Sequence, residues 1–142
     1  MTLNASSTQE EKNAHYRKVL QTYADGVSAG DVDTVCGLFA EDGGMEDPVG
    51  GPWGVLQGAA AIRGLFEATA QAGVQTTRTG PISGSKANYA AMPYEVKVNG
   101  FTLQVIGLAT FDEAGKITRY NVYWGPGDYD PPGRDPSEGF LD

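Results

Sequence analysis

The sequence predicts an α+β domain in which three N-terminal helices pack on one face of a curved, mostly antiparallel sheet. Two patterns support this prediction. Up to about residue 71, apolar residues recur mainly at helical spacing. Beyond residue 73 they alternate in β-branched stretches that Gly, Pro and Asn-Gly turns separate. Helices followed by hairpin-connected strands cover one face of a sheet, and the mouth of such a cone-shaped fold is a natural pocket for a small molecule.

The first half of the chain contains the three predicted helices. The first covers about residues 8–28 and begins with a capping-box pattern. A shorter helix begins after Asp31, and its apolar side carries Val32, Val35, Cys36 and Phe39. The acidic, Gly-rich segment 41–44 is expected to end it. The third helix covers residues 59–71, where Ala is frequent.

Strands account for most of the remaining chain. A short strand is predicted around Asp47, followed by a Gly/Pro/Trp-rich loop over 50–58. An Asn-Gly pair at 99–100 predicts a hairpin. The four longer strands cover about 74–79, 87–98, 101–111 and 117–124. Residues 126–142 are rich in Pro, Gly and Asp and are expected to form an irregular tail, so we expect one domain over 1–142 with an ordered core at about 8–125.

Composition limits the possible partners. Ten basic residues against 18 acidic ones give a net charge of −8, which disfavours nucleic acid and anionic membrane surfaces. No apolar run approaches the roughly 20 residues that a membrane helix needs. The N-terminus lacks the apolar core of a signal peptide, so a cytoplasmic location is expected. The single Cys and the single His make neither a metal site nor a His-activated nucleophile plausible, and we expect no cofactor.

The stretch 44–50 contains the main candidate for a catalytic residue. In this stretch Asp47 precedes a proline and lies between two Gly pairs, and the residue before a proline is held in an extended conformation. Strand alternation places Met45 and Asp47 on one face and Glu46 on the other. A carboxylate facing an apolar interior is a candidate proton carrier. The alternative is an ordinary turn Asp ahead of a proline.

Several motifs resemble the Δ5-3-ketosteroid isomerases. The matching residues are the runs 23–33, 38–42, 45–50 and 58–63, together with Gly115-Lys116-Ile117 and Tyr123-Trp124. The resemblance implies the cone-shaped fold of nuclear transport factor 2, a homodimer and an apolar, steroid-like ketone as substrate. It also implies that Asp47 is the base and that Tyr23 donates a hydrogen bond to the enolate oxygen. The two residues are 24 positions apart, as in that family.

Two positions depart from the family pattern. The family's second oxyanion donor, an Asp, falls on Gly107, and a tyrosine often found on the third helix is Phe66 here. On the last strand, Trp124 matches a pocket tryptophan, and Tyr120 is expected to point the same way. The Tyr120 hydroxyl could replace the missing donor, or a water could occupy the space over Gly107. Alternatively, Tyr120 could form part of the pocket wall without a catalytic role. We therefore expect Tyr120, Trp124, Phe66 and Gly107 to contribute to substrate binding.

Three functions are compatible with these residues. The first is a steroid isomerase that moves a proton from C4 to C6 through a dienolate. The second is a SnoaL-like polyketide cyclase or dehydratase, since the same fold hosts cyclases that use a single acid/base Asp. The third is a cone-shaped module that binds a small molecule without chemistry.

Overall fold

The computed structural model describes residues 3–142, and these residues form three helices packed on one sheet. The helices are α1 (Gln9–Ala29), α2 (Val32–Cys36) and α3 (Ala59–Gln71). The strands are β1 (Phe39–Glu46), β2 (Val55–Gln57), β3 (Gln75–Arg78), β4 (Tyr89–Val98), β5 (Phe101–Phe111), β6 (Ile117–Tyr123) and β7 (Tyr129–Asp130). The predicted α+β fold, with helices on a curved and mostly antiparallel sheet, is confirmed.

The sheet places the two strands that matter most for the site beside each other. Its order is β2-β1-β6-β5-β4-β3, with β7 paired to β5. Strand β1 runs parallel to β6, and every other pair is antiparallel. The ends of β1 and β6 therefore meet at the same edge of the sheet, and the residues that follow each strand come together there.

Helix α1 has clear signals at both ends. The Thr8 side chain accepts a hydrogen bond from the Glu11 amide, and the Glu11 carboxylate accepts one from the Thr8 amide, so the predicted capping box is present. Gly30 ends the helix at φ +67°, a conformation that glycine adopts without strain. Buried residues recur along the helix at spacings of three and four. They are Tyr16, Val19, Leu20, Tyr23, Ala24 and Val27. This buried side packs on the sheet.

Two boundaries near α2 differ from the prediction. The helix ends at Cys36, and Phe39 begins strand β1 rather than ending the helix. Residues 41–44 were expected to end α2, but they lie within β1. They form a bulge there, because the register to β6 shifts between Phe39 and Gly44. A Cβ at Gly43 would lie 2.9 Å from the Ile117 carbonyl oxygen. The Gly pair therefore allows a close backbone approach inside a strand. Strand β2 also lies within the predicted loop 50–58.

The segment 126–142 contains the short strand β7 within the stretch predicted as irregular, and the rest of it has no helix or strand. It folds back on the body of the protein. The Phe140 ring lies 5.9 Å from the Trp53 ring, and the Arg134 guanidinium lies 5.3 Å above the Phe101 ring. The tail thus contacts the loop before β2 and the first residue of β5.

None of the helices within residues 3–142 combines the length and the apolar character required to span a bilayer.

Candidate active site

A cavity lies between the concave face of the sheet and the helices. Its free volume is about 70 Å³. Most of its lining is apolar: Val27, Met45, Trp53, Leu65, Phe66, Val74, Val96, Val98, Leu103, Val105, Val122, Pro136 and Phe140. The ionisable side chains on its wall are Asp47, Tyr23 and Tyr94. This combination of an apolar enclosure with few polar groups is typical of small-molecule sites.

Asp47 follows the last residue of β1 and faces the cavity. Met45 faces it as well, whereas Glu46 turns away to contact Arg119, with 3.4 Å between the Glu46 Oε1 and Arg119 Nη2 atoms. The alternation predicted from the sequence is therefore present. Strand β6 holds the backbone on both sides of Asp47, since Glu46 pairs with it and the Val49 amide donates to the Val122 carbonyl at 2.9 Å.

One hydrogen bond fixes the Asp47 carboxylate. The indole Nε1 of Trp124, the residue after β6, donates to Oδ1 at 2.8 Å. Within residues 3–142 this is the one side-chain donor to the carboxylate, so Oδ2 is left without a protein donor there. A carboxylate with one oxygen fixed and the other free can accept a proton without losing its orientation.

Burial raises the pKa of Asp47 to about 6, because the apolar cavity disfavours the charged form more than the Trp124 hydrogen bond favours it. The carboxylate therefore changes protonation near neutral pH. A group of this kind can act both as base and as acid within one reaction cycle.

Tyr23 lies on the buried side of α1 and reaches the cavity. Its ring packs edge-on against Phe66 from α3 at 5.7 Å and against Tyr120 at 4.8 Å between ring centroids. Burial, with the negative charge of Asp47 adding to it, raises the pKa of the Tyr23 hydroxyl well above 10. The phenol is thus neutral and available as a hydrogen-bond donor.

Tyr120 occupies the space over Gly107. A Cβ atom built on Gly107 would lie 2.0 Å from the Tyr120 hydroxyl oxygen. That hydroxyl donates to the hydroxyl of Tyr94 at 3.2 Å, and the Tyr120 side chain is fully buried. The phenol of Tyr120, rather than a water, therefore occupies the space over Gly107. Neither Tyr120 nor Gly107 lines the cavity directly.

Four of the six residues predicted for the site therefore line the cavity: Asp47, Tyr23, Phe66 and Trp124. Tyr94, which lies on the inner face of β4, was not predicted for the site. The same holds for the tail residues Pro136, Ser137 and Phe140. For Tyr94 a signal existed, because the hairpin at 99–100 sets the register of β4 and β5. No comparable periodicity marks the tail residues.

A curved sheet that three helices cover, enclosing an apolar cavity with one acidic side chain, has the architecture of the NTF2-like superfamily. A model of the SnoaL-like domain matches residues 20–120. The chain belongs to the SnoaL-like domain family, which confirms the superfamily expected from the sequence.

Two similar proteins extend this assignment. A steroid Delta-isomerase of Nocardioides simplex is 31% identical over 120 residues, which cover 82% of this chain and 94% of that protein. The solved structure of the epoxide hydrolase/cyclase-like enzyme SalBIII, described for its role in pyran ring formation in the polyether salinomycin, superposes with a TM-score of 0.77. It is 26% identical, and the match covers 86% of this chain and 98% of that one. Together with the family they support an isomerase- or cyclase-type enzyme.

The raised pKa of Asp47 makes a prediction about stability. Because the folded-state pKa lies above the usual value of 3.8, ionised Asp47 favours unfolding, and the effect is complete above pH 6 and absent below about pH 4. Asp47→Asn should therefore raise the free energy of unfolding by roughly 3 kcal/mol at pH 8, from 1.36 kcal/mol per pKa unit. Urea unfolding at a series of pH values measures this difference.

The matched control is Asp42→Asn, which removes an exposed carboxylate from the same strand. We expect no pH-dependent gain from it. A constant difference between Asp47→Asn and the parent protein from pH 4 to pH 8 would contradict the raised pKa of Asp47.

Proposed function

We propose that this protein is a steroid Δ5-3-ketosteroid isomerase, in which Asp47 is the base and Tyr23 an oxyanion donor. The observation that carries the proposal is the Asp47 carboxylate, which faces an apolar cavity with its pKa near 6. The 31% identity to a steroid Delta-isomerase supports the same reaction. The apolar lining suits a steroid-like ketone, since it offers few partners to a polar substrate.

In the proposed reaction Asp47 removes a proton from C4, beside the C3 carbonyl. The electron pair of that C–H bond moves toward the carbonyl and forms a dienolate. Tyr23 donates a hydrogen bond to the oxygen that gains negative charge, which lowers the barrier. Asp47 then returns the proton to C6, so the double bond shifts and no atom or electron is gained or lost. These steps need no cofactor.

The proposed base can be tested by its pH dependence. For the parent protein, kcat/KM for isomerisation of 5-androstene-3,17-dione should rise with pH and level off above about pH 6, because the base must be deprotonated. Asp47→Asn should lower kcat by roughly 10²- to 10⁴-fold, the usual worth of a general base. Ultraviolet absorbance of the conjugated product measures both.

Glu46→Gln is the control, because Glu46 lies next to Asp47 but faces Arg119 and accepts from the Gly50 amide. It should leave kcat within a few-fold of the parent value. Full activity of Asp47→Asn, or no activity of the folded parent protein at any pH, would overturn the proposal.

The cavity has to enlarge for a four-ring ketone to enter. Its volume of about 70 Å³ is less than half of the roughly 150 Å³ of a known protein cavity that holds benzene. The tail residues Pro136, Ser137 and Phe140 close one side of it. We infer that the tail moves when the ligand binds, and that the contact between Phe140 and Trp53 opposes this movement.

Phe140→Ala should speed up ligand entry. Removing this ring lowers the free-energy cost of moving the tail away from the cavity. If this cost falls by about 1.4 kcal/mol, association becomes roughly ten-fold faster. Stopped-flow fluorescence with equilenin, a phenolic steroid, measures the rate. Glu138→Ala in the same tail removes an exposed side chain and should not change it. An unaltered association rate in Phe140→Ala would argue against a moving tail.

A second candidate function is a cyclase. The SalBIII structure superposes over most of the chain, and a cavity with a single acid/base carboxylate is compatible with epoxide or ring chemistry. A non-catalytic binding protein is disfavoured, because binding alone gives no reason to keep an ionised Asp47 at a cost in stability. The isomerase assay separates the first two functions.

We also propose that the protein is a homodimer formed through the outer face of the sheet. Ile106 on β5 and Tyr123 on β6 lie directly opposite each other there and are 52% and 46% exposed. Neighbouring exposed apolar side chains of this size indicate an interaction surface. Ile106→Lys should shift the molar mass measured by light scattering from dimer to monomer, whereas Gln71→Lys at the end of α3 should not. A parent protein that is monomeric at all concentrations would contradict the dimer.

A further inference from the structure

We propose that Tyr94 is the second hydrogen-bond donor to the substrate oxygen, and that Tyr120 positions it from the space that Gly107 leaves free. The inference rests on the proposed function, since it assumes a substrate oxygen that gains negative charge. Tyr94 would supply the hydrogen bond that the family's Asp gives from position 107, where this chain has glycine.

The register of the sheet brings the two tyrosines together from opposite sides of β5. Gly107 pairs with Met92 on β4 and with Val122 on β6. Tyr94 and Tyr120 each lie two residues along from those partners, on the same inner face. Tyr94 pairs with Val105 and Tyr120 with Ala109, so each is diagonal to Gly107 and the two long side chains meet over the glycine. Their hydroxyl oxygens are 3.2 Å apart.

The glycine is what permits this arrangement. Any Cβ at position 107 would lie 2.0 Å from the Tyr120 hydroxyl oxygen and 2.5 Å from its ring carbon Cζ. Contacts of that length do not occur between unbonded heavy atoms in folded proteins, so a side chain at 107 would displace the phenol. Gly107 therefore makes room for Tyr120 and is not merely a position that lost a donor.

The direction of the hydrogen bond leaves Tyr94 free to donate. Tyr120 donates a hydrogen bond to the Tyr94 oxygen, and with Tyr120 as the donor the Tyr94 proton can point toward another acceptor. Tyr94 lines the cavity, and Tyr120 does not. The ring of Tyr94 on β4 and the ring of Tyr23 on α1 lie 6.3 Å apart, so two phenols can approach one oxygen. Burial raises the pKa of Tyr94 well above 10, which keeps it neutral.

The pair also explains why Phe66 is tolerated. Phe66 on α3 packs against Tyr23 at 5.7 Å and offers no hydroxyl. Tyr94 from β4 and Tyr120 from β6 also pack edge-on against the Tyr23 ring, at 6.3 Å and 4.8 Å between ring centroids. Aromatic contacts from α3, β4 and β6 therefore hold Tyr23, and the second hydroxyl donor comes from β4 rather than from α3.

The test compares two probes that differ by one oxygen, 2-naphthol and naphthalene. Their dissociation constants are measured by fluorescence, which also reports whether bound naphthol is ionised. Tyr94→Phe should weaken 2-naphthol binding by roughly ten- to hundred-fold, the usual effect of losing one hydrogen bond to a charged oxygen. Naphthalene binding should change by less than about three-fold, because the ring and its packing remain. Tyr120→Phe should reduce the same discrimination by a smaller factor.

Tyr89→Phe is the matched control, since Tyr89 is an exposed tyrosine on the same strand as Tyr94. It should leave both dissociation constants unchanged. Equal losses for the two probes in Tyr94→Phe, or no loss for either, would overturn the donor role. A parent protein that does not distinguish 2-naphthol from naphthalene would overturn it as well.

The isomerase assay on the same variants separates this inference from the proposed function. If discrimination depends on Tyr94 while no isomerisation occurs, the donor assignment stands and the isomerase proposal fails. If the parent protein isomerises the steroid and Tyr94→Phe keeps both kcat and discrimination, the isomerase proposal stands and the donor assignment fails.

Discussion

The burial of the Asp47 carboxylate is the constraint on which the site depends. Withdrawing a carboxylate from water costs folding free energy, and the Trp124 indole compensates for only part of it. The fold tolerates the charge because β6 fixes the chain on both sides of Asp47 and supplies the indole from its own end. A backbone held in this way keeps the carboxylate on the wall of the apolar cavity. The parallel pairing of β1 and β6 is therefore the structural origin of the raised pKa.

The same exclusion of water acts on the phenols in the same direction, because it disfavours the anion of either group. Burial makes a carboxylate a stronger base, and it makes a phenol a weaker acid. Asp47 can therefore be ionised at a pH where Tyr23, Tyr94 and Tyr120 remain neutral donors. One apolar enclosure thus produces a base and a set of donors together. A cavity of this kind favours reactions in which a proton leaves carbon while negative charge moves to an oxygen.

Much of this arrangement could be predicted from the sequence, because local signals set it. The capping box and the helical spacing of apolar residues identify α1, and with it the inward direction of Tyr23. The alternation of residues along a strand identifies Asp47 as a residue that faces the interior. The hairpin at 99–100 also fixes the pairing of Tyr94 with Val105, so Tyr94 could have been found by counting from that turn. The bulge in β1 could not, since the Gly pair that permits it is equally typical of a helix end. The position of Phe140 depends on long-range packing against Trp53, which leaves no periodic signal.

Gly107 illustrates how a substitution can be misinterpreted when its neighbours are unknown. In the sequence it is a position where an acidic donor is absent, which suggests a weakened site. In the fold, a side chain at 107 and the phenol of Tyr120 would occupy the same volume, so an Asp donor at 107 and the Tyr120 phenol in this position exclude each other. The phenol over Gly107 in turn holds the hydroxyl of Tyr94, which lines the cavity. The identity of residue 120 therefore decides whether a glycine at 107 removes a donor or makes space for a different one.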